Sequence, residues 1–245
     1  MMRNYVKSIS IFLILQLSIC FSSEISGLEV LENSIRRLDG VDHSISVDVV
    51  TSKKGEDKTR ELKISVHWSM DKNKYKMIHL EEGSNGDKGR ELLVHEYNDA
   101  SIRTWIKYPK SGKVKEVKDK KLSKRIDISD ITIPLSLLNE KIKILEDQSI
   151  NDILCKVLEI KNGDEKIKLW IDTVDFIIHK KENYNKKSKL YKKTEYLNIT
   201  TQDEIKFYKN AKTTHLKDKT TANLTINKFE IRDFKDNGMF EAPKK

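Results

Sequence analysis

The chain has 245 residues, of which 37% are hydrophobic and 35% charged. That supports one large β domain or two small ones, and charges so evenly mixed in sign exclude charge-driven disorder. The formal net charge is +9, but the lysines alternate with acids along the chain, which argues against nucleic acid as a partner.

The N-terminus carries Arg3 and Lys7, followed by the apolar run 8-SISIFLILQLSIC-20. This run falls short of the ~20 apolar residues that span a bilayer. A positive start, an apolar centre and small residues after it predict a signal sequence over residues 1–22, leaving 23–245 as a single exported domain. Cleavage after Ser22 is one outcome. Leu17-Ser18-Ile19-Cys20 also resembles a bacterial lipobox, in which Cys20 is lipidated and anchors the protein to a membrane. Both export the protein. An uncleaved anchor helix is the third alternative.

Next, 26-SGLEVLENSIRRLDG-40 predicts one amphipathic helix. Leu28, Leu31, Ile35 and Leu38 recur at helical spacing, Ser26 and Glu29 form a capping box, and Gly40 closes the end. The pattern then changes to period two. Ile45, Val47 and Val49 alternate in 44–50; Leu62, Ile64, Val66 and Trp68 alternate in 61–69. Further strands are predicted at 74–80, 90–97 and 101–108, and, after residue 141, at 142–146, 153–160, 166–172, 176–182, 189–199, 204–210 and 221–231. Short turns separate them, which signals an antiparallel meander. About a dozen strands are more than a flat open sheet carries without curling. The fold class is mainly β (α+β). The predicted helix and the Pro134-interrupted segment 129–141 cover the concave face as helix and lid.

Chemistry is sparse. None of the six histidines has metal-ligand spacing, no serine sits in a nucleophile elbow, and no glycine-rich loop cradles phosphate. His67 and His95 fall on polar strand faces and are expected to be solvated. Cys155, in the apolar run 153-ILCKVLEI-160, is expected to be a buried, inert thiol, and two cysteines do not make a disulfide scaffold. The basic stretch 180-KKENYNKKSKLYKK-193 is expected to be a solvated hairpin protecting a sheet edge. No catalytic residue, metal or cofactor is expected.

Three stretches carry a family likeness. In 101-SIRTWIKYPK-110, Trp105-x-x-Tyr108-Pro109 follows a glycine-containing loop. Trp170-Ile171-Asp172 is followed by Ile178, Lys180, Glu182, Tyr184 and Leu190. The end, 221-TANLTINKFEIRDFKDNGMFEAP-243, runs to Phe240. Together they resemble the bacterial outer-membrane lipoprotein-sorting proteins of the LolA/LolB-like superfamily over most of residues 27–243. The chain departs from that pattern at 125-RIDISDITIPLSLL-138, which lacks the F-x-G-S-D-type stretch of the family.

The resemblance implies a strongly curved antiparallel sheet, an incomplete barrel with helices and loops over its concave side. It also implies a hydrophobic cavity that holds acyl chains of lipoproteins or lipids as a non-covalent carrier or acceptor. The implied partners are membrane components of lipoprotein transport, with a monomeric protein and no nucleic acid. The cavity-lining residues implied are Ile45, Val47 and Val49; Leu62, Ile64, Val66 and Trp68; Ile106 and Tyr108; and Leu169 and Ile171. Arg60, at the start of the second strand, is the implied lid-gating position by analogy. An envelope sensor or interaction domain on the same fold is the alternative function.

Overall fold

The computed structural model describes residues 25–68, 73–82, 88–99, 101–117, 121–123, 126–127, 133–234 and 238–243. The signal segment 1–22, with Cys20, lies outside them, as do residues 129–132 of the expected cover.

Two meanders make the sheet. The first runs through β1 (His43–Lys53), β2 (Glu56–Trp68), β3 (Lys74–Glu82), β4 (Glu91–Glu96), β5 (Ile102–Lys107) and β6 (Val114–Glu116). A small ribbon follows, β7 (Lys121–Ser123) with β8 (Ile126–Asp127). The second meander is β9 (Lys141–Ile150), β10 (Ile153–Asn162), β11 (Glu165–Asp172), β12 (Ile178–Tyr184), β13 (Leu190–Gln202), β14 (Ile205–His215) and β15 (Thr220–Ile231). The first and last strands, β1 and β15, pair antiparallel along their length, from His43 opposite Ile231 to Lys53 opposite Thr220. That seam fuses the meanders into one 13-stranded sheet with β6 and β9 at its two edges. The edges do not pair with each other, so the sheet is an open half-barrel.

Local irregularities curve it. The register shifts at Ser46/Val47, Glu61/Leu62, Cys155/Val157, Trp170/Ile171 and Asn183/Tyr184. Bulges of this kind bend the strand that carries them and increase its twist. The basic stretch 180–193 forms facing parts of β12 and β13, which are interior strands between β11 and β14. It therefore guards no edge, and Lys181 and Lys192 are buried instead of solvated.

Helix α1 (Gly27–Ile35) starts where expected: Ser26 Oγ accepts the Glu29 backbone N–H at 3.2 Å. It ends earlier than the predicted 26–38, and its buried face differs. Gly27, Val30, Leu31 and Ile35 face the sheet, while Leu28 is 49% exposed. The reason is the close approach at Gly27. A Cβ there would stand 3.0 Å from both Ile142 Cγ2 and Ile144 Cγ1, so glycine lets the first turn lie on β9 and rotates Val30 inward. The 3-10 helix Leu135–Asn139 buries Leu135 and Leu137 in the same cluster as Val30 and Leu31.

The connection from β6 to β9 links opposite edges of the sheet. It leaves β6 at Val117, against the apolar cluster of the first meander, and arrives at Ile133, against the cluster under α1. Its described ends thus lie on the face that carries α1, the inner face.

Candidate functional site on the inner face

Cross-strand neighbours point to the same side of a sheet, so register decides which apolar residues share the inner face. Val47 lies opposite Leu62, Ile45 opposite Ile64, Leu62 opposite Leu80 and Ile64 opposite Ile78. With Val49, Val66, Trp68 and Ile106 they form one buried cluster that continues across β13–β15 through Tyr196, Ala211, Leu224 and Ile226. Leu169 and Ile171 belong to the second inner cluster, under α1, and Ile178 touches both. Ten of the eleven residues named from the sequence therefore share this face, as packed side chains. Tyr108 is the exception: it lies beyond the end of β5, is 36% exposed, and meets Arg90, whose guanidinium stands 5.6 Å from its ring centroid.

Arg60 is buried at the far end of this face, where its guanidinium donates to Thr51 Oγ1 at 3.3 Å. From Thr51 the register continues through Ala222, Thr213, Thr194 and Lys181 to Leu169. A polar row thus closes the apolar field at that end.

The opposite end holds a cavity of about 180 Å³. Its walls are Ile35 and Leu38 near the end of α1, Ile45 and Val66 from the first meander, and Tyr196, Phe207, Ile226 and Phe229 from the second. Phe207 and Phe229 stack with centroids 4.9 Å apart, and His43 stacks on Phe229 at 5.3 Å. Tyr208 packs on Tyr196 at 4.4 Å, and burial pushes its hydroxyl pKa up to about 12. Hydrogen bonds hold the cover at this end, among them that of Arg37 to the sheet. Arg36 Nη2 donates to Asn98 Oδ1 at 3.2 Å, and Asn139 Nδ2 donates to the Asp99 carbonyl at 3.3 Å.

The polar lining is basic: Arg37, His43, Lys74 and Lys76, with no carboxylate among the described lining residues. Burial pushes His43 down to about 4, so it is neutral at pH 7, and its Nδ1 lies 2.9 Å from the Val41 carbonyl. Lys76 is ion-paired with Glu96 at 2.7 Å, both buried. Lys74 Nζ sits 4.5 Å from the Trp68 ring centroid. Burial and then the Lys76 charge press its pKa down to about 8, against the pull of Glu96 and Asp39. Arg37 donates to the Lys206 carbonyl at 2.5 Å, and burial lowers its pKa.

The outer face carries a larger groove, about 830 Å³, between β2–β5 and the C-terminal segment. Met77, Leu93 and Trp105 form its floor, and Phe234 and Met239 its far wall. Charges of both signs line it, many paired: Glu91 bonds Lys107 at 3.0 Å and lies 3.5 Å from His79. His67 and His95, expected in solvent, belong to this side. His67 Nδ1 is 2.8 Å from Asp42 Oδ2, and His95 is buried with Nε2 2.8 Å from the Phe240 carbonyl. The returning C-terminal segment covers them, an overlap that strand alternation alone does not reveal. Asp42 also accepts the backbone N–H groups of Trp68 and Phe234 at 2.8 and 3.1 Å. Burial would raise its pKa, but these bonds and that of His67 outweigh it and hold the carboxyl below the usual range.

The Trp170-Ile171-Asp172 motif has a structural account. Trp170 points outward, donating to Gln148 Oε1 at 2.9 Å beneath Lys180, whose Nζ is 4.1 Å from the ring. Ile171 points inward into the cluster under α1. Asp172 builds the turn into β12: it accepts from the N–H groups of Val174, Asp175 and Ile177 and lies 2.9 Å from His179 Nε2. Cys155 is buried beside Trp170 and Val157, and desolvation holds its thiol up at about 11.

Sequence reasoning missed Arg37, Lys74, Phe207 and Phe229. The signal for Phe207 was the alternation of β14; Phe229 is out of phase with Leu224 and Ile226 and is brought to the inner face by the bulge opposite Ser46/Val47. Arg37 and Lys74 gave none, because each is brought to the cavity by tertiary packing. Among the described residues no group of three or more His, Cys, Asp or Glu is placed to hold a metal ion. No helix among them is long and apolar enough to cross a membrane.

Three solved structures share the fold. One, described as an outer membrane lipoprotein-sorting protein domain of Vibrio parahaemolyticus, aligns with a TM-score of 0.76 at 16% identity, over 87% of this chain and 95% of that one. A DUF1329 family protein of Desulfovibrio piger aligns with a TM-score of 0.77 at 16% identity, over 88% and 95%. A LolA superfamily protein of Nitrosomonas europaea aligns with a TM-score of 0.70 at 17% identity, over 89% and 99%. No curated protein matches the sequence. A family model whose description reads "Uncharacterized protein" matches residues 72–243, well over half of the chain. The chain belongs to that family, and its fold is the LolA-like half-barrel.

Proposed function

We propose that the protein is an exported, lipoprotein-sorting-like binder that shelters acyl chains of lipoproteins or lipids on its inner face. It acts without covalent chemistry, as a carrier or an acceptor. The observation that carries this is the apolar cavity between the end of α1 and the sheet, on a half-barrel of the lipoprotein-sorting type. Each methylene moved from water into such a site is worth ~0.8 kcal/mol, so one buried chain rivals the hold of a membrane surface.

The present cavity of about 180 Å³ is below the ~300–1,000 Å³ of ordinary ligand sites. Binding a long chain therefore requires α1 and the 3-10 helix to move off the sheet. The bonds that hold them at the cavity end, Arg36 to Asn98, Arg37 to the Lys206 carbonyl and Asn139 to Asp99, are exposed. Exposed polar contacts of this sort contribute only ~0–1 kcal/mol each, so this end of the cover is the easier one to lift. Export by the 1–22 signal, a single domain over 23–245, a periplasmic monomer and an anchor at Cys20 belong to the same proposal.

The test is binding of a fluorescent acyl probe to the purified mature protein. Saturable uptake near one probe per chain, weakened by Phe207→Arg, is expected. No uptake, together with no lipid in extracts of protein purified from its own host, would contradict carriage and favour an envelope interaction domain on the same fold. Intact-mass measurement of that sample reads the cleavage site and any acyl mass on Cys20.

A further inference from the structure

The inner cavity is chemically asymmetric. Its walls are aromatic and aliphatic, yet its polar lining is cationic, with no described carboxylate. A cavity for a neutral chain alone gains nothing from holding charges next to apolar walls, since partial burial of an ammonium costs free energy. Of the cations, Lys76 is matched by Glu96 at 2.7 Å. Lys74 lies directly opposite Glu96 in the β3–β4 register, but the Glu96 oxygen that bonds is given to Lys76. Instead Lys74 extends over the Trp68 ring, whose buried Nε1–H meets no acceptor among the described residues. Arg37 comes to the same cavity from the turn after α1, oriented by the Lys206 carbonyl.

We propose that this cavity selects a single-chain anionic amphiphile, its carboxylate or phosphate head against Lys74 and Arg37 and its chain along Phe207, Phe229, Tyr196 and Ile226. The inference rests on acyl-chain binding at the same site and adds the charge and number of chains. With the cover down, the volume of about 180 Å³ lies below the ~300–1,000 Å³ of ordinary ligand sites, so it takes at most one short or medium chain unless the cover lifts. An arginine and a lysine are the side chains that hold such heads, through charge-assisted hydrogen bonds. The depressed lysine pKa has the same origin, cations crowded beside apolar walls, and an anionic head would relieve it.

The experiment compares decanoic acid, decyl phosphate, decanoic acid methyl ester and inorganic phosphate by calorimetry on the wild-type protein and on Lys74→Met and Lys74→Arg. Methionine keeps the unbranched stem over Trp68 and removes the charge. The expected result is that both anionic amphiphiles bind about tenfold or more tightly than the ester. Lys74→Met should shrink that difference to the share that Arg37 holds and weaken the two anionic amphiphiles more than the ester, Lys74→Arg should retain it, and inorganic phosphate should not compete. Equal binding of acid and ester to the wild type would overturn the head-group assignment while leaving chain binding intact. Competition by inorganic phosphate would overturn the amphiphile and leave a simple anion site. Failure of all four ligands would instead remove the acyl-binding function itself. The wild-type comparison stands even where a variant does not fold.

Discussion

The two faces of the sheet carry two concavities of opposite character. The outer groove is more than four times the larger, about 830 against 180 Å³. Yet its charges are of both signs and largely paired, and one wall is the protein's own C-terminal segment, held by Asp42 and His95. The inner cavity is small, but its aromatic walls meet a cationic polar lining with no carboxylate among the described lining residues, and its roof is a short helix. On the proposed function, volume alone is a poor guide to a site. What distinguishes the inner cavity is a cationic lining set against apolar walls.

Substitutions can break this contrast, starting with the largest effect. Removing Glu96 leaves the buried Lys76 ammonium without its 2.7 Å partner. Glu96→Leu should cost ~3–5 kcal/mol in chemical denaturation, far more than loss of any outer-groove pair. Next is Leu31→Ala under the roof, a fully buried side chain between α1 and the sheet. It should cost ~2–5 kcal/mol and raise the rate of acyl-probe uptake, since the roof is held mainly by that packing.

Asp42→Ala comes third. It removes the acceptor for the Phe234 N–H and the partner of His67, and should cost ~1–3 kcal/mol and loosen the C-terminal segment. The release is read as a change in Trp105 fluorescence. The pH direction follows from its depressed carboxyl. Its contribution is fully present above the ordinary Asp range and is lost as pH falls through the lower folded value. The smallest effect is at Lys107→Met, which breaks an exposed pair with Glu91 and should change stability by less than ~1 kcal/mol. A large loss there would mean that the outer groove is more than a surface of exposed, largely paired charges. Separately, Cys155, with its thiol at about 11, should resist alkylation at pH 8 until the protein unfolds.

Much of this architecture was legible in the alternation. Every apolar period-two run from 44–50 to 221–231 became a strand, and in all but the edge strand β9 one face is buried, so that a one-residue slip would expose it. Ser26 and Glu29 fixed the start of α1 through a local bond. What was not legible depends on contacts distant in sequence. Leu28 has the spacing of a core residue but is displaced by the approach of Gly27 to Ile142 and Ile144. His95 reads as a surface residue until Phe240 returns over it, 145 positions later. Trp105 and Tyr108, close in sequence, part at the end of β5: Trp105 is buried on the outer face with Leu93 and Phe240, while Tyr108 leaves the strand. At the cavity, Ile45 and Val66 could be chosen from pattern. Lys74 and Arg37 could not, since one is the first residue of β3 and the other sits in the turn after α1.

The central claim is that acyl chains enter on the inner face. Photolabelling with a diazirine-bearing fatty acid, followed by peptide mapping, tests it most directly. The account predicts adducts on the peptides holding Phe207, Phe229 and Ile35, lost when unlabelled decanoic acid is added. Adducts confined to the peptides of Trp105, Phe234 and Met239 would place binding in the outer groove and contradict it.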